Sequence, residues 1–223
     1  MSEEPPVGLP ATITSISVQK KNKERYTLHV EEGFLAGVSE STLIDLGLAK
    51  GVEVTPSLYR KIQRSEGIYA VKSYLIKLLG RRDHARKELY RKALKKQYPK
   101  EVIQSVLDEL EEKGYIDERQ FARKYASDKY RLNSWGPAKI KAHLLKKGVS
   151  RQAAEEGVES AFSEADLDST LMDLVLKKKR RFLREENPLK RKEKIFNYLS
   201  RKGFSPGTIF EEIDRLMKAV KDG

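Results

Sequence analysis

The spacing of hydrophobic and polar residues changes along this chain near residue 68. Before that point Tyr26, Leu28 and Val30 alternate with polar residues, and the less regular segment TITSISVQ precedes them across a polar KKNKE turn. Alternation of this kind on both sides of a short polar turn predicts a β-hairpin. Ser39 then precedes a short amphipathic stretch, and Pro56 is well placed to begin a second helix.

From residue 68 onward the apolar positions follow a helical period. We therefore expect residues 1–67 to form an N-terminal module with a β-hairpin and short helices, and we place its boundary at Ser65 to Gly67.

The helical part repeats itself, with origins at Leu89, Ile140 and Ile195. Apolar residues recur at the same offsets from each origin, and the second and third copies share a Lys-Gly pair before one of them. Each copy shows three stretches of i, i+3, i+4 spacing, which predicts three helices. A unit of this size buries little surface alone, so we expect neighbours to stack.

The predicted fold is mainly α: an elongated, curved array of three tandem three-helix repeats, preceded by a small β-hairpin-containing module. We expect the repeats to occupy residues 68–116, 117–167 and 168–223.

The segment GYIDERQFARKY has the features of a junction between two repeats. Its glycine can take the left-handed position that ends a helix, and its aspartate can cap the next helix in a capping box with the glutamine three residues later. An isoleucine before the cap and a phenylalanine after it have the spacing of a hydrophobic staple. We expect a similar junction 51 residues later, with Asp168 in place of Asp117. The predicted junction residues are Gly114, Tyr115, Ile116, Asp117, Gln120, Phe121, Leu167, Asp168 and Met172.

Composition indicates an anionic partner. The chain carries 45 Lys plus Arg against 33 Asp plus Glu, a net charge of +12. Residues 1–68 have a net charge of −1, so the positive charge belongs to the helical repeats. A polyanion or an acidic protein surface is the expected partner.

Several classes of protein are disfavoured by what the sequence lacks. It contains no cysteine, and its first residues lack the basic start and apolar run of a secretion signal. His29, His84 and His143 do not have the spacing of metal ligands, and no phosphate loop or nucleophile elbow is present. We expect a soluble, cytoplasmic, monomeric protein without cofactor, metal, membrane contact or enzymatic activity.

Basic clusters are the candidate contacts with a partner. Any one of them could be an ordinary solvated helix face, but pairs of basic residues recur at equivalent positions of the repeats, and residues 177–181 carry five successive positive charges. Trp135 joins them because its segment NSWGP is expected to be a loop, whereas Tyr125 is expected in the core. The candidates are Arg81, Arg82, Arg86, Lys87, Lys95, Lys96, Trp135, Lys139, Lys141, Lys146, Lys147, Lys177, Lys178, Lys179, Arg180, Arg181, Lys190, Arg191 and Lys192.

The junction places Gly-Tyr-Ile-Asp and the following Phe-Ala and Tyr between the segments ELYRKALKKQYPKEVIQSVLDEL and KIKAHLLKKGVSRQAAEEGVESA. This combination resembles the RecX family of bacterial recombinase regulators over roughly residues 68–220. The resemblance implies tandem three-helix repeats that bind within the groove of the RecA filament, bridge its subunits and inhibit the recombinase. Two features depart from the family pattern: Ala85 where many relatives have serine, and an enlarged loop at residues 185–188.

Two other functions remain open at this point. Three-helix units with basic helices can act as free-standing, helix-turn-helix-like DNA-binding proteins, although no unit offers an obvious set of base-reading side chains. Charge alone would also suit a helical adaptor for an unrelated acidic protein. Direct contact of a RecA regulator with DNA is left open as well.

Overall fold

Short strands occupy the first quarter of the chain and helices the remainder in a computed structural model that describes residues 5–222. Within those residues the strands are β1 Ala11–Thr12, β2 Ser15–Val18, β3 Arg25–Val30, β4 Gly33–Ser39 and β5 Glu53–Val54. The helices are α1 Glu40–Asp45, α2 Pro56–Leu79, α3 Arg86–Lys95, α4 Lys100–Glu112, α5 Glu118–Asn133, α6 Pro137–Lys147, α7 Arg151–Phe162, α8 Leu167–Leu176, α9 Lys179–Leu183, α10 Pro188–Lys202 and α11 Pro206–Asp222.

The predicted hairpin is formed by β2 and β3, which pair antiparallel with Ile16 opposite Leu28. Two features were not predicted from the sequence: strand β4, which pairs with the other edge of β3, and the pairing of β1 with β5. Strand β4 was missed because GFLAGVS alternates poorly and contains two glycines, which disfavour strands. Leu28 and Val38 are fully buried in the core of this module.

Helix α2 is anchored to the sheet by a buried carboxylate. Glu66 is 6 % exposed and accepts hydrogen bonds from Arg25 Nη2 at 2.8 Å and from the backbone N–H of Ser39 at 2.6 Å. Two partners compensate the cost of burying this charge. The predicted boundary at Ser65 to Gly67 therefore falls inside a continuous helix, and the proposed limits of the domains stay a prediction.

The chain divides into two compact units, one formed by residues up to 81 with 92–109, the other by 82–91 with 110 onward. The second unit contains two of the three predicted repeats. Helices α5, α6 and α7 surround a core that includes Ile140 and Leu144. At Gly157 of α7 an added Cβ would lie 2.8 Å from the backbone carbon of Ala122, so glycine permits α7 to approach α5 closely.

The third repeat has an additional short helix. Helices α8, α10 and α11 bury Ile195, Leu199 and Ile213 in one cluster, and the short helix α9 contributes Phe182 to it. The sequence predicts three helices and an enlarged loop in this repeat. Helix α9 packs against the core because its Phe182 is buried there. No described helix combines the length and apolar character required to cross a bilayer.

Candidate interface for an anionic partner

The middle helix of each repeat ends in the same left-handed turn. Gln97, Gly148 and Gly203 occupy equivalent positions, with φ of 62°, 88° and 97°. In each turn the following backbone N–H reaches back to a carbonyl one turn earlier: Tyr98 to Ala93, Val149 to Leu144 and Phe204 to Leu199. This is the Schellman arrangement, which satisfies carbonyl groups left unpaired at a helix end.

In the second unit, the turn at the end of α10 docks onto the beginning of α6. The backbone N–H of Gly136 donates to the Lys202 carbonyl at 2.7 Å, and that of Ala138 donates to the Gly203 carbonyl at 3.1 Å. Unpaired carbonyls at one helix end thereby meet unpaired N–H groups at another, and the helix dipoles attract. The third repeat is joined to the second by these contacts.

The joint leaves no room for side chains at its two glycines. A Cβ on Gly203 would lie 2.6 Å from the backbone nitrogen of Lys139, and one on Gly136 would lie 2.6 Å from that of Phe204. A related contact occurs where the second repeat meets α3, since a Cβ on Gly148 would lie 2.8 Å from Cβ of Lys87.

In the predicted junction before α5, the left-handed turn and the aspartate cap are both formed. Gly114 adopts φ of 73°, and Asp117 caps α5 by accepting the Gln120 N–H at 2.8 Å. Ile116 and Phe121 are both buried, as a hydrophobic staple requires. Tyr115 is exposed.

The second junction was predicted in the wrong register. The N-cap of α8 is Asp166, which accepts the Ser169 N–H at 2.9 Å, and Asp168 lies in the first turn. Both aspartates could cap a helix, but starting at Leu167 lets α8 bury Leu171 with Leu174 and Val175. Core burial therefore selected the earlier cap, and Met172 only packs against the edge of the core.

Glu88 of α3 is the centre of a charge cluster. Its carboxylate lies 2.5 Å from Arg82 Nη2, 3.3 Å from His84 Nδ1 and 3.5 Å from Lys147 Nζ. Partial burial acts to raise the pKa of Glu88, but the hydrogen bond from Arg82 and the interactions with Lys147, Arg82 and His84 outweigh it, lowering that pKa from 4.5 to about 2. This cluster links α3 to the end of α6.

The candidate cations divide by whether a carboxylate neutralises them. Several form ion pairs and thus offer less free charge to a partner. These paired candidates are Arg82 with Glu88, Arg86 with Glu111, Lys141 with Glu155, Lys147 with Glu88 and Lys192 with Asp214.

Arg191 is a further exception among the candidates. It is 7 % exposed, and its guanidinium donates to the Glu185 carbonyl through Nε at 3.0 Å and Nη2 at 2.7 Å. This side chain holds the enlarged loop before α10, which is a structural role.

The other candidate cations form no ion pair within residues 5–222. They are Arg81, Lys87, Lys95, Lys96, Lys139, Lys146, Lys177, Lys178, Lys179, Arg180, Arg181 and Lys190. The run at 177–181, singled out in the sequence, lines a cavity of about 510 Å³ together with Leu176 and Arg184.

Trp135 is half-buried against the core of the second repeat. Its ring centroid lies 4.5 Å from that of His143 and 4.6 Å from Lys139 Nζ, with Lys129 Nζ at 5.4 Å. The indole therefore positions cations by cation–π contact. Tyr125, expected in the core, is also half-buried and stacks on Phe121.

The pKa values of two other residues indicate that positive charges lie close together in this region. The pKa of Lys202 is lowered by burial and by Lys139, Lys177 and Lys178. The pKa of His143 is lowered by burial and by lysines on α5 and α6. Neither residue was among the sequence candidates. Lys202 could have been included because it occupies the repeated lysine position before the turn, whereas Lys129 lies on another helix and only the fold brings it to Trp135.

Comparison with known proteins shows which family this architecture matches. Models of the RecX N-terminal domain and of the first, second and third RecX three-helix domains match residues 11–55, 72–110, 117–158 and 165–213. The regulatory protein RecX of Leuconostoc mesenteroides is 32% identical over 213 residues, covering 94% of this chain and 78% of that protein. The chain belongs to the RecX family. The RecX protein of Clostridioides difficile is 28% identical over 207 residues, covering 92% and 95% of the two chains.

Solved RecX structures share the fold. One crystal structure of regulatory protein RecX superposes with a TM-score of 0.80 at 25% identity, covering 92% of this chain and 99% of that one. RecX from Lactobacillus salivarius gives a TM-score of 0.57 at 22% identity over 70% of this chain, a likeness of fold alone. The predicted mainly α fold, with three RecX three-helix domains after a small sheet module, is confirmed.

Proposed function

We propose that this protein is a non-enzymatic modulator of the RecA recombinase. It inhibits by binding along the groove of the RecA–DNA filament and bridging neighbouring subunits, and so regulates recombination and DNA repair. The proposal rests on the family of this chain, which is a family of regulatory proteins. In addition, its most basic segment has no carboxylate partners within the described residues.

The joint between repeats supports bridging. Docking α10 onto α6 through two backbone hydrogen bonds fixes how the second and third repeats are connected. Repeats held in a fixed relation can engage several subunits of a repetitive filament together, and linked contacts of this kind raise avidity by roughly 10²-fold or more.

The unpaired cations support an anionic binding surface. The charges of 177–181, which pair with no carboxylate in the described part of the chain, remain available to a partner. Lys141 and Lys192, by contrast, already pair with carboxylates of the protein. Unpaired charges at an interface steer association and fix its register.

The test is strand exchange and ATP hydrolysis by the cognate recombinase, with and without this protein. The triple variant K177E/K178E/R180E reverses three exposed charges and spares the inward-facing Lys179. We expect it to lose about tenfold or more in inhibitory potency, because like charges would then face the partner.

The matched control is R60E/K61E/R64E on α2, which changes the net charge equally in the other compact unit. Equal loss of inhibition in both variants would mean that only net charge matters. Full inhibition by the first variant would remove the 177–181 run from the interface.

Direct DNA binding is a second candidate, favoured by the same unneutralised cations, which suit phosphate groups. A DNA-binding protein of this kind would bind naked duplex as tightly as recombinase filaments, with a steep dependence on salt. Saturable binding to filaments at concentrations where bare DNA stays unbound would exclude it as the main function.

A further inference from the structure

We call the cavity lined by residues 176–181 and 184 the 177–184 pocket. Its lining has an unusual charge composition. It measures about 510 Å³, within the range of small-ligand sites, and six of its seven lining residues are cationic. The seventh is Leu176, and no carboxylate of residues 5–222 lines the cavity.

No protein group neutralises this charge within residues 5–222. The nearby acidic residue Glu185 is engaged elsewhere, because it accepts an ion pair from Lys194 at 2.5 Å. Six like charges this close repel one another, and an anion among them would relieve that repulsion. The local fold thus leaves room for an anion carrying several charges.

Lys179 is the most informative residue of the pocket. Its Nζ is shielded from solvent, yet it has no hydrogen-bond partner within the part of the chain that the structure describes. An ammonium removed from water without a partner is costly, and proteins normally pair such a group. An anion bound in the pocket that Lys179 lines would lower this cost by attraction at short range.

The positive charge continues beyond the pocket. Lys202 interacts with Lys177 and Lys178 as well as with Lys139, and its ammonium donates to the Asn133 carbonyl at 2.8 Å. This adds a fixed cation beside the two lysines at the start of the pocket.

We propose that the 177–184 pocket binds a chain of at least two linked phosphate groups, such as the di- or triphosphate of a nucleotide or an inorganic polyphosphate. Phosphates suit the site because each presents several acceptor oxygens and up to two negative charges to arginine and lysine donors. A single carboxylate would neutralise only one of the six cations.

The lining also argues against recognition of a base. Among the described residues it offers no aromatic side chain on which a base could stack and only one apolar residue. Affinity should therefore depend on the number of linked phosphates rather than on the nucleoside attached to them. All lining residues also come from the single short segment 176–184, which suits a compact ligand better than an extended nucleic-acid strand.

Isothermal titration of the full chain at about 0.15 M salt tests this proposal. The probes are inorganic tripolyphosphate, ATP, adenosine and a single-stranded oligothymidylate. We expect saturable one-to-one binding of tripolyphosphate and ATP and none of adenosine. Equal affinities for the two would identify the phosphate chain as the whole ligand, and ATP binding more than about tenfold tighter would identify a nucleotide.

Variants locate the binding. Lys179→Met keeps the aliphatic stem and removes the ammonium, and we expect it to weaken tripolyphosphate binding by about tenfold or more. The double variant K177Q/K178Q changes only exposed side chains, so it should fold normally and also bind more weakly. Lys218→Gln on α11, an exposed cation outside the pocket, is the matched control and should bind like wild type.

Three results would overturn the proposal: no saturable binding of tripolyphosphate, undiminished binding by both pocket variants, or binding of the oligothymidylate alone. Because the titration contains no recombinase, its outcome is independent of the proposed role in RecA regulation.

Discussion

Gln97 adopts a left-handed backbone conformation at a position where the other two repeats have glycine. It has φ of 62° in the turn after α3, where Gly148 and Gly203 hold the equivalent positions after α6 and α10. A side chain in the left-handed region costs roughly 1–2 kcal/mol because Cβ approaches the following carbonyl oxygen. The first repeat therefore stores strain at a position that the other two have relieved.

Gln97→Gly should relieve that strain. We expect the free energy of unfolding to rise by about 0.5–1 kcal/mol, since the relief is partly offset by the greater flexibility of glycine in the unfolded chain. Urea denaturation checks the change. Gln97→Ala is the control, because alanine keeps the strained Cβ, and a gain as large in that variant would contradict the explanation.

Glu88 makes stability dependent on pH in the acidic range. Its pKa in the folded protein, about 2, lies below the usual 4.5. A depressed carboxyl pKa contributes stability that is fully present above the unfolded value and is lost as pH falls through the folded value. The contribution of Glu88 should therefore decline between about pH 4.5 and pH 2.

Glu88→Gln should remove this contribution. At pH 7 we expect a loss of about 1–3 kcal/mol, because Arg82 and Lys147 lose a charged partner that is only 20% exposed. The difference from wild type should shrink towards pH 2, as followed by urea denaturation at several pH values. Glu155→Gln, which breaks an exposed pair with Lys141, should have little effect. A gap between Glu88→Gln and wild type that stays constant down to pH 2 would refute this account.

At the scale of elements, helix ends make the joint between repeats. The carbonyls that α10 leaves unpaired at Lys202 and Gly203 accept the N–H groups of Gly136 and Ala138 at the start of α6. Gly203 ends α10 and also allows α6 to approach it. One residue type thus serves both the turn and the docking.

Gly203→Ala should disrupt that joint. The added Cβ would meet the Lys139 backbone at 2.6 Å, and φ of 97° is itself unfavourable for alanine. We expect a loss of about 2–4 kcal/mol in unfolding free energy, measured by denaturation.

Gly114→Ala separates the two causes, because Gly114 has φ of 73° but no described atom within 4 Å of the added Cβ. It should lower the free energy of unfolding by only about 1–2 kcal/mol, the strain of a left-handed backbone at alanine. Equal losses in the two variants would show that docking adds nothing to the strain of the turn.

At the scale of the whole molecule, charge is distributed unevenly along the chain. The net charge is +12 overall and −1 over residues 1–68. Within residues 5–222, ion pairs neutralise part of the excess in the repeats, as at Lys141 and Lys192, but not the run at 177–181. The free positive charge therefore lies at particular places in the repeats rather than over the whole surface.

This distribution predicts how binding to recombinase filaments depends on salt. Affinity should fall steeply as NaCl rises, because each contact with an anionic group releases counterions. The variant K177E/K178E/R180E should show a shallower slope, whereas R60E/K61E/R64E should keep the wild-type slope. Fluorescence anisotropy over a salt series measures both, and identical slopes in the two variants would place the contacts elsewhere.

Much of the fold could be predicted because its signals are local. The hairpin, the cap at Asp117 and the turn at Gly114 depend on residues a few positions apart, and the repeat register follows from helical period. Strand β4 and the cap at Asp166 escaped prediction because the packing of distant apolar residues decided them.

For the candidate site, the sequence by itself determined where the positive charge lies along the chain, since that requires only counting residues. Only the tertiary structure decided which charges remain available. Lys147 meets Glu88 from 59 positions away, and Lys202 reaches the Asn133 carbonyl from 69. The physical reason is that a charge is neutralised by proximity in space, which helical period and local spacing do not specify.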